Sequence, residues 1–219
     1  GSGGTKFSGK VTNNKDDSGN KSVIECGTFN GPVTNYGSTT GGTFNGTVTN
    51  KGAITGGMFN DSVVAEASDE DTFLEALADK NVTTIKLKDS ITVKATDTVN
   101  ELTIDRAITL VNGDRDPVLT LKRPLTIAEG GSLTLEGNVY LYPCDSMEVN
   151  GGVTVGAGCG VSFEVEESSL TIHEGGTVTT VRTTDAEIAS SGLLSLGQDA
   201  ALTVEGTLVN NGRLSVSNM

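Results

Sequence analysis

A block of fifteen residues is written twice in succession near the start of this chain, as TFNGPVTNYGSTTGG at 28–42 and TFNGTVTNKGAITGG at 43–57, and begins again at MFNDSVV. Phe29, Phe44 and Phe59 stand fifteen apart. Val33, Val48 and Val63 follow each by four residues, Asn35 and Asn50 by six, and Thr39 and Ile54 by ten. A looser copy carries Phe7, Val11, Asn13, Ile24 and Gly27. It holds about seven extra residues, KDDSGNK, and places Cys26 where the later copies have the first glycine of a pair. A unit this short cannot bury its apolar face alone, so it must stack on its neighbours. Stacking sets Phe on Phe and Val on Val, each burial worth about 1.5–3 kcal/mol. It also lines the asparagines into hydrogen-bonded ladders. The rival local reading is a β-hairpin around Asn-Gly. Its flanking strands would be only a residue or two long, too short to stand alone.

Composition agrees with many short strands and tight turns. The chain of 219 residues has 29 Gly, 4 Pro, no Trp and an aromatic content of 4%. Its apolar residues are mostly Val, Ile and Leu, and Thr is frequent; these pack well on a pleated surface. A net charge of -13 disfavours phosphate backbones and anionic headgroups as partners, since such a surface repels them. No apolar run is long enough to insert in a membrane. The opening GSGG reads as an added or trimmed boundary with no signal peptide.

Residues 68–80, SDEDTFLEALADK, break the repeat. Ser68 with Asp71 suggests a capping box, acidic residues fill the first turn, and Phe73, Leu74, Leu77 and Ala78 form one apolar stripe. A short amphipathic helix is predicted here, covering an open end. The division expected is residues 1–66 as short-period β-solenoid and 67–219 as a parallel β-helix opened by that helix. The second part is a train of apolar–Thr/Ser–apolar triplets, among them LTI at 102, LTL at 119, LTI at 125, VTV at 153 and LSL at 194. Alternation turns the flanking residues inward and the hydroxyl outward. Two registers remain open: a period of 20–23 with starts at 102, 125, 147, 170 and 194 in one column, or a period near 14 through 119, 133, 147 and 161.

TFLEALADKNVTTIKLKDSITV resembles the N-terminal entry of right-handed parallel β-helix proteins of the pectate-lyase-like group, where a helix precedes a first T-I-x-L strand. ELTIDRAITLVNG and LTLKRPLTI resemble early rungs of that fold, and GTFNGTVTN is similar to repeats of large surface proteins of gut bacteria. The fold class implied is all-β, a right-handed parallel β-helix with one capping helix. Every rung then pairs with the next, leaving open edges only at the ends. The enzymes of the group cleave acidic polysaccharides with an arginine base and calcium, or with paired aspartates. This sequence departs from both patterns. Arg106 and Arg123 read as turn residues in surface ion pairs.

Asp114 and Asp116, in the loop NGDRDP, are two carboxylates able to meet a hard cation or a ligand, though without the spacing of a calcium loop. Tyr140 and Tyr142 share a strand face: turned inward they are core, turned outward they are a stacking platform for sugars. Glu164 and Glu166 point outward if Phe163 and Val165 point in. His173 occupies a place taken elsewhere by Ala128, which marks a turn edge. The three cysteines are read as free thiols, or as a Cys144–Cys159 disulfide with Cys26 free. No catalytic residue, metal ligand or cofactor is expected. The function expected is a non-enzymatic extracellular β-helix of a bacterial surface protein, secreted or cell-attached, a stalk or adhesion module with a glycan or host surface as partner. The alternative is a polysaccharide lyase or glycoside hydrolase. Since GRLSVSNM is still rung pattern, the C-terminal end is expected to pair with another copy or with further chain. Specificity is expected where the repeat breaks: at 14–21, 112–117 and 142–146.

Overall fold

A computed structural model describes residues 4–15, 22–95, 101–165, 168–181, 191–197 and 200–217. Residues 16–21 of the insert expected at 14–21, and Glu166, expected to point outward, lie outside the described residues. Cα proximity divides the chain into two compact units, residues 1–66 with 73–85, and residues 67–72 with 86–219. All described strand pairs within them are parallel, and three sheets run through each unit: this is a parallel β-helix.

In the first unit one sheet joins Lys6–Phe7, Thr28–Phe29, Thr43–Phe44 and Met58–Phe59. A second runs through Val11–Asn13, Val33–Asn35 and Val48–Asn50 to Val63, and a third through Val23–Ile24, Ser38–Thr39 and Ala53–Ile54. The register is the fifteen-residue one, so like sits on like. The rings of Phe7, Phe29, Phe44 and Phe59 stack at 4.8–4.9 Å with planes within 9°. Phe44 and Thr43 belong to a different sheet from Val48, so the Asn-Gly between them is a corner between parallel strands and not a hairpin turn.

The inner asparagine ladder is present. Asn13 Nδ2 donates to Asn35 Oδ1 at 2.7 Å, and Asn35 Nδ2 to Asn50 Oδ1 at 2.9 Å. Asn50 Nδ2 then reaches Asp79 Oδ2 at 3.5 Å, so a carboxylate continues the row. A second ladder, absent from the sequence reading, runs along the surface from Asn60 to Asn45 at 2.7 Å and from Asn45 to Asn30 at 2.8 Å. Thr39 sits in the Ile24–Ile54 row, 1% exposed, and its Oγ1 has no hydrogen-bond partner. Gly42 closes the rung at φ 108°, and a Cβ there would come within 3.3–3.4 Å of the Phe29 and Phe44 rings.

The helix runs Glu70–Ala78 and buries Phe73, Ala76 and Leu77. Its cap lies one residue later than Ser68. Asp69 Oδ1 accepts from the Thr72 amide at 2.9 Å, and Thr72 Oγ1 accepts from the amides of Ser68 and Asp69. The shorter reach from Asp69 closes the same reciprocal pair that a capping box makes.

In the second unit a six-stranded sheet runs Ile91–Val93, Val118–Leu121, Tyr140–Pro143, Gly160–Phe163, Leu193–Leu196 and Arg213–Val216. A five-stranded sheet holds Leu102–Ile104, Leu125–Ile127, Ser146–Val149, Ser169–Ile172 and Ala201–Val204. The third side begins at Ala107–Asn112 and continues through Ser132–Glu136, Gly152–Val155, Thr177–Thr180 and Thr207–Asn210. The column 102, 125, 147, 170 stands as read, but its next member is Leu202, not Leu194. Leu194 instead follows Val161 on the six-stranded sheet. That rung is longer: 32 residues separate Leu170 from Leu202 against 23 from Met147 to Leu170. The period-14 register fails because residues 119, 133 and 147 fall in three different sheets. The core is the inward side of these strands, with Leu119, Ile127, Leu133, Leu135, Leu141 and Phe163 each 2% exposed or less.

Candidate functional site

The six-stranded sheet carries the most unusual outer face. In Tyr140–Pro143 the buried positions go to Leu141 and Pro143, so Tyr140 and Tyr142 point outward, half-buried. Val139 and Leu141, at 0% and 1% exposed, fill the inward places that a core tyrosine would need. Tyr140 lies beside Val118 on one strand and Gly160 on the next, and Tyr142 lies beside Thr120. A Cβ on Gly160 would come 2.9 Å from Tyr140 Cδ1, so the ring leans into the space that only glycine leaves. Gly160 and Ser162 face outward by alternation yet are buried. Two rings and two small residues therefore make a shallow shelf.

Glu164 borders the shelf. Its Oε1 accepts from Ser162 Oγ at 2.7 Å, and it follows the last strand residue, Phe163. Burial raises the Tyr142 phenol above its ordinary pKa, with the Glu164 carboxylate and Tyr140 adding to the effect. Val165 is 45% exposed because the strand has already ended, so the inward position expected for it is not taken.

The two loop aspartates do not converge. Asp114 pairs with Lys88 Nζ at 3.2 Å, and that bond, with the field of Lys86, holds its carboxyl below the usual range. Asp116 Oδ1 accepts from Asn138 Nδ2 at 3.3 Å. Asn138, in the left-handed region at φ 66°, lies two residues before Tyr140. Asp116 is thus brought to the strand-start edge of the tyrosine sheet, and Asp114 is turned to Lys88. Among the described residues no group of three or more His, Cys, Asp or Glu side chains is placed to hold a metal ion.

Arg106, Arg123 and His173 each face acidic side chains. Arg123, 11% exposed, donates through Nε to the Lys94 carbonyl and through its guanidinium to Glu70 Oε1 at 3.4 Å. Glu70 Oε1 also accepts from the Lys94 amide at 2.8 Å, which ties the helix start to its unit. Arg106 faces Asp105 at 3.6 Å. His173 lies just past a strand end, with Nε2 2.7 Å from Glu148 and Nδ1 3.6 Å from Glu205. All three cysteines are free: Cys26 exposed, Cys144 half-buried and Cys159 buried. Burial raises the Cys144 and Cys159 thiols.

Sequence reasoning named the tyrosines but not Gly160, Ser162 or Glu164 as their surroundings. The signal was the register that sets Tyr140 beside Gly160, and repeated triplets hide it.

The fold is that of a parallel β-helix, with an aromatic shelf on the outer face of one sheet. Residues 64–193 match the model of the pectate lyase-like adhesive domain, and the chain belongs to that family. The family's adhesive character implies a surface-exposed role. No curated protein and no solved structure matches the chain.

Proposed function

We propose that this chain is a non-catalytic binding module that holds a glycan against the outer face of the six-stranded sheet, at Tyr140 and Tyr142. One observation carries the reading: two tyrosines on one strand point outward, and the first lies over the small residue Gly160 of the next strand. Aromatic rings that are apolar in body and polar at the tip suit the mixed faces of a sugar. Asp116 and Asn138 at the strand-start edge, and Glu164 near the other end, supply polar groups around the rings. The likeness of the fifteen-residue units to repeats of bacterial surface proteins supports a place outside a bacterial cell, secreted or attached.

The test is a glycan array probed with the intact chain, run beside a product assay for cleavage of pectin-like and host glycans. Binding that Tyr140→Ala and Tyr142→Ala abolish, with no cleavage, is the expected result. Release of any shortened saccharide would overturn the non-catalytic reading. Binding that survives both substitutions would overturn the site.

A further inference from the structure

We infer that the tyrosine shelf takes a neutral saccharide and turns away uronic-acid glycans, an inference that rests on the glycan-binding reading above. The argument is the arrangement of charge and donors. Ser162 Oγ donates to Glu164 at 2.7 Å, which fixes where that carboxylate sits beside the shelf. A carboxylate accepts several hydrogen bonds, and sugar hydroxyls are the donors it needs. Bonds to an ionised acceptor are the stronger kind. A uronate brings a second negative charge to the same place, and like charges brought together at an interface are strongly disfavoured. The whole chain, at -13, repels a polyuronate before contact as well.

The cations of this sheet do not reverse the sign. Lys122 follows Leu121, the partner of Pro143, so it stands on the flank of the tyrosine strand away from the strand that leads to Ser162 and Glu164. Arg213 is in the Tyr140 row but two strands beyond Gly160, past Leu193. Lys94 stands near Glu70 at 3.9 Å, on the first strand's side of the sheet. The residue closest in kind to a uronate receptor, Arg123, is already held by Glu70 and the Lys94 carbonyl.

The experiment prints cellohexaose and mannohexaose as neutral probes and hexagalacturonate as the acidic probe. Each is read with the wild-type chain, Tyr142→Ala and Glu164→Gln, all checked for native circular dichroism. Wild type should bind a neutral hexamer at least about tenfold more tightly than hexagalacturonate, a ratio that one close like-charge contact supplies. Glu164→Gln should shrink that ratio by about tenfold, and Tyr142→Ala should abolish neutral binding. Hexagalacturonate binding as tightly as the neutral probes, or a ratio that Glu164→Gln leaves unchanged, overturns this inference and leaves the glycan reading standing. Silence on every probe, or neutral binding unchanged by Tyr142→Ala, overturns both.

Discussion

Replacing Asn35 with alanine removes three hydrogen bonds from the interior of the first unit. Asn35 is 0% exposed. It accepts from Asn13 Nδ2 at 2.7 Å and donates to Asn50 Oδ1 at 2.9 Å and to the Ala53 carbonyl at 3.1 Å. Some of the stranded partners recover. Asn13 Nδ2 keeps the Ser22 and Ser38 carbonyls, and Asn50 Oδ1 keeps the Gly52 amide at 3.2 Å. Each bond contributes about 1 kcal/mol net, and a buried group left unpaired costs about 1–3 kcal/mol. The expected loss is therefore about 2–5 kcal/mol. The surface ladder supplies the control. Asn45→Ala also breaks two amide bonds, at 2.8 and 2.7 Å, but water replaces them, so the loss should stay under about 1 kcal/mol. In urea, at about 2 kcal/mol per molar, the midpoint should fall by more than about 1 M for Asn35→Ala and by less than about 0.5 M for Asn45→Ala. Amide exchange would localise the change to the rungs around residues 33–55. Equal losses from the two variants would refute the claim that burial, not the ladder bond itself, sets the energy.

Thr39→Val should raise stability by about 1 kcal/mol, because it removes a buried hydroxyl without a partner from an isoleucine row; an unchanged or lower thermal midpoint would contradict this. Gly42→Ala should lower stability by about 1–3 kcal/mol, since a side chain there meets both a positive φ and the phenylalanine column. Asp69 sits below its usual pKa of 3.8 because of the Thr72 hydroxyl and amide, so its capping stabilisation is complete above that value and lost as pH falls through the lower folded one. Helical exchange protection at 70–78 should drop over that acid range in wild type and be insensitive to it in Asp69→Asn. Thiol labelling at pH 8 should modify Cys26 quickly, Cys144 slowly and Cys159 only on unfolding, and early labelling of Cys159 would contradict its burial.

The rungs of the first unit were legible almost residue by residue, because a strict period of fifteen leaves one way to place Phe29, Phe44 and Phe59 in a row. The second unit was legible as strands but not as rows. Its triplets are nearly interchangeable, and its rungs differ in length, so nothing local distinguishes Leu194 from Leu202. The same loss of register hid the shelf. VYLYP alternates clearly, but only the pairing of Tyr140 with Gly160 shows that a ring has room to lie down. The aspartates of the 112–117 loop were visible as charges. Their separate partners, Lys88 and Asn138, come from neighbouring rungs 22 to 26 residues away in sequence.

The in-register parallel ladders also make each unit a ruler under tension. Pulling on the chain peels a rung from its neighbour, and the length released is the contour of that rung less one interstrand spacing. A fifteen-residue rung such as Phe29 to Phe44 should release about 45 Å, and a twenty-residue rung such as Leu141 to Val161 about 60 Å. A chain built this way yields under load in small counted steps, and each step leaves the rungs behind it intact.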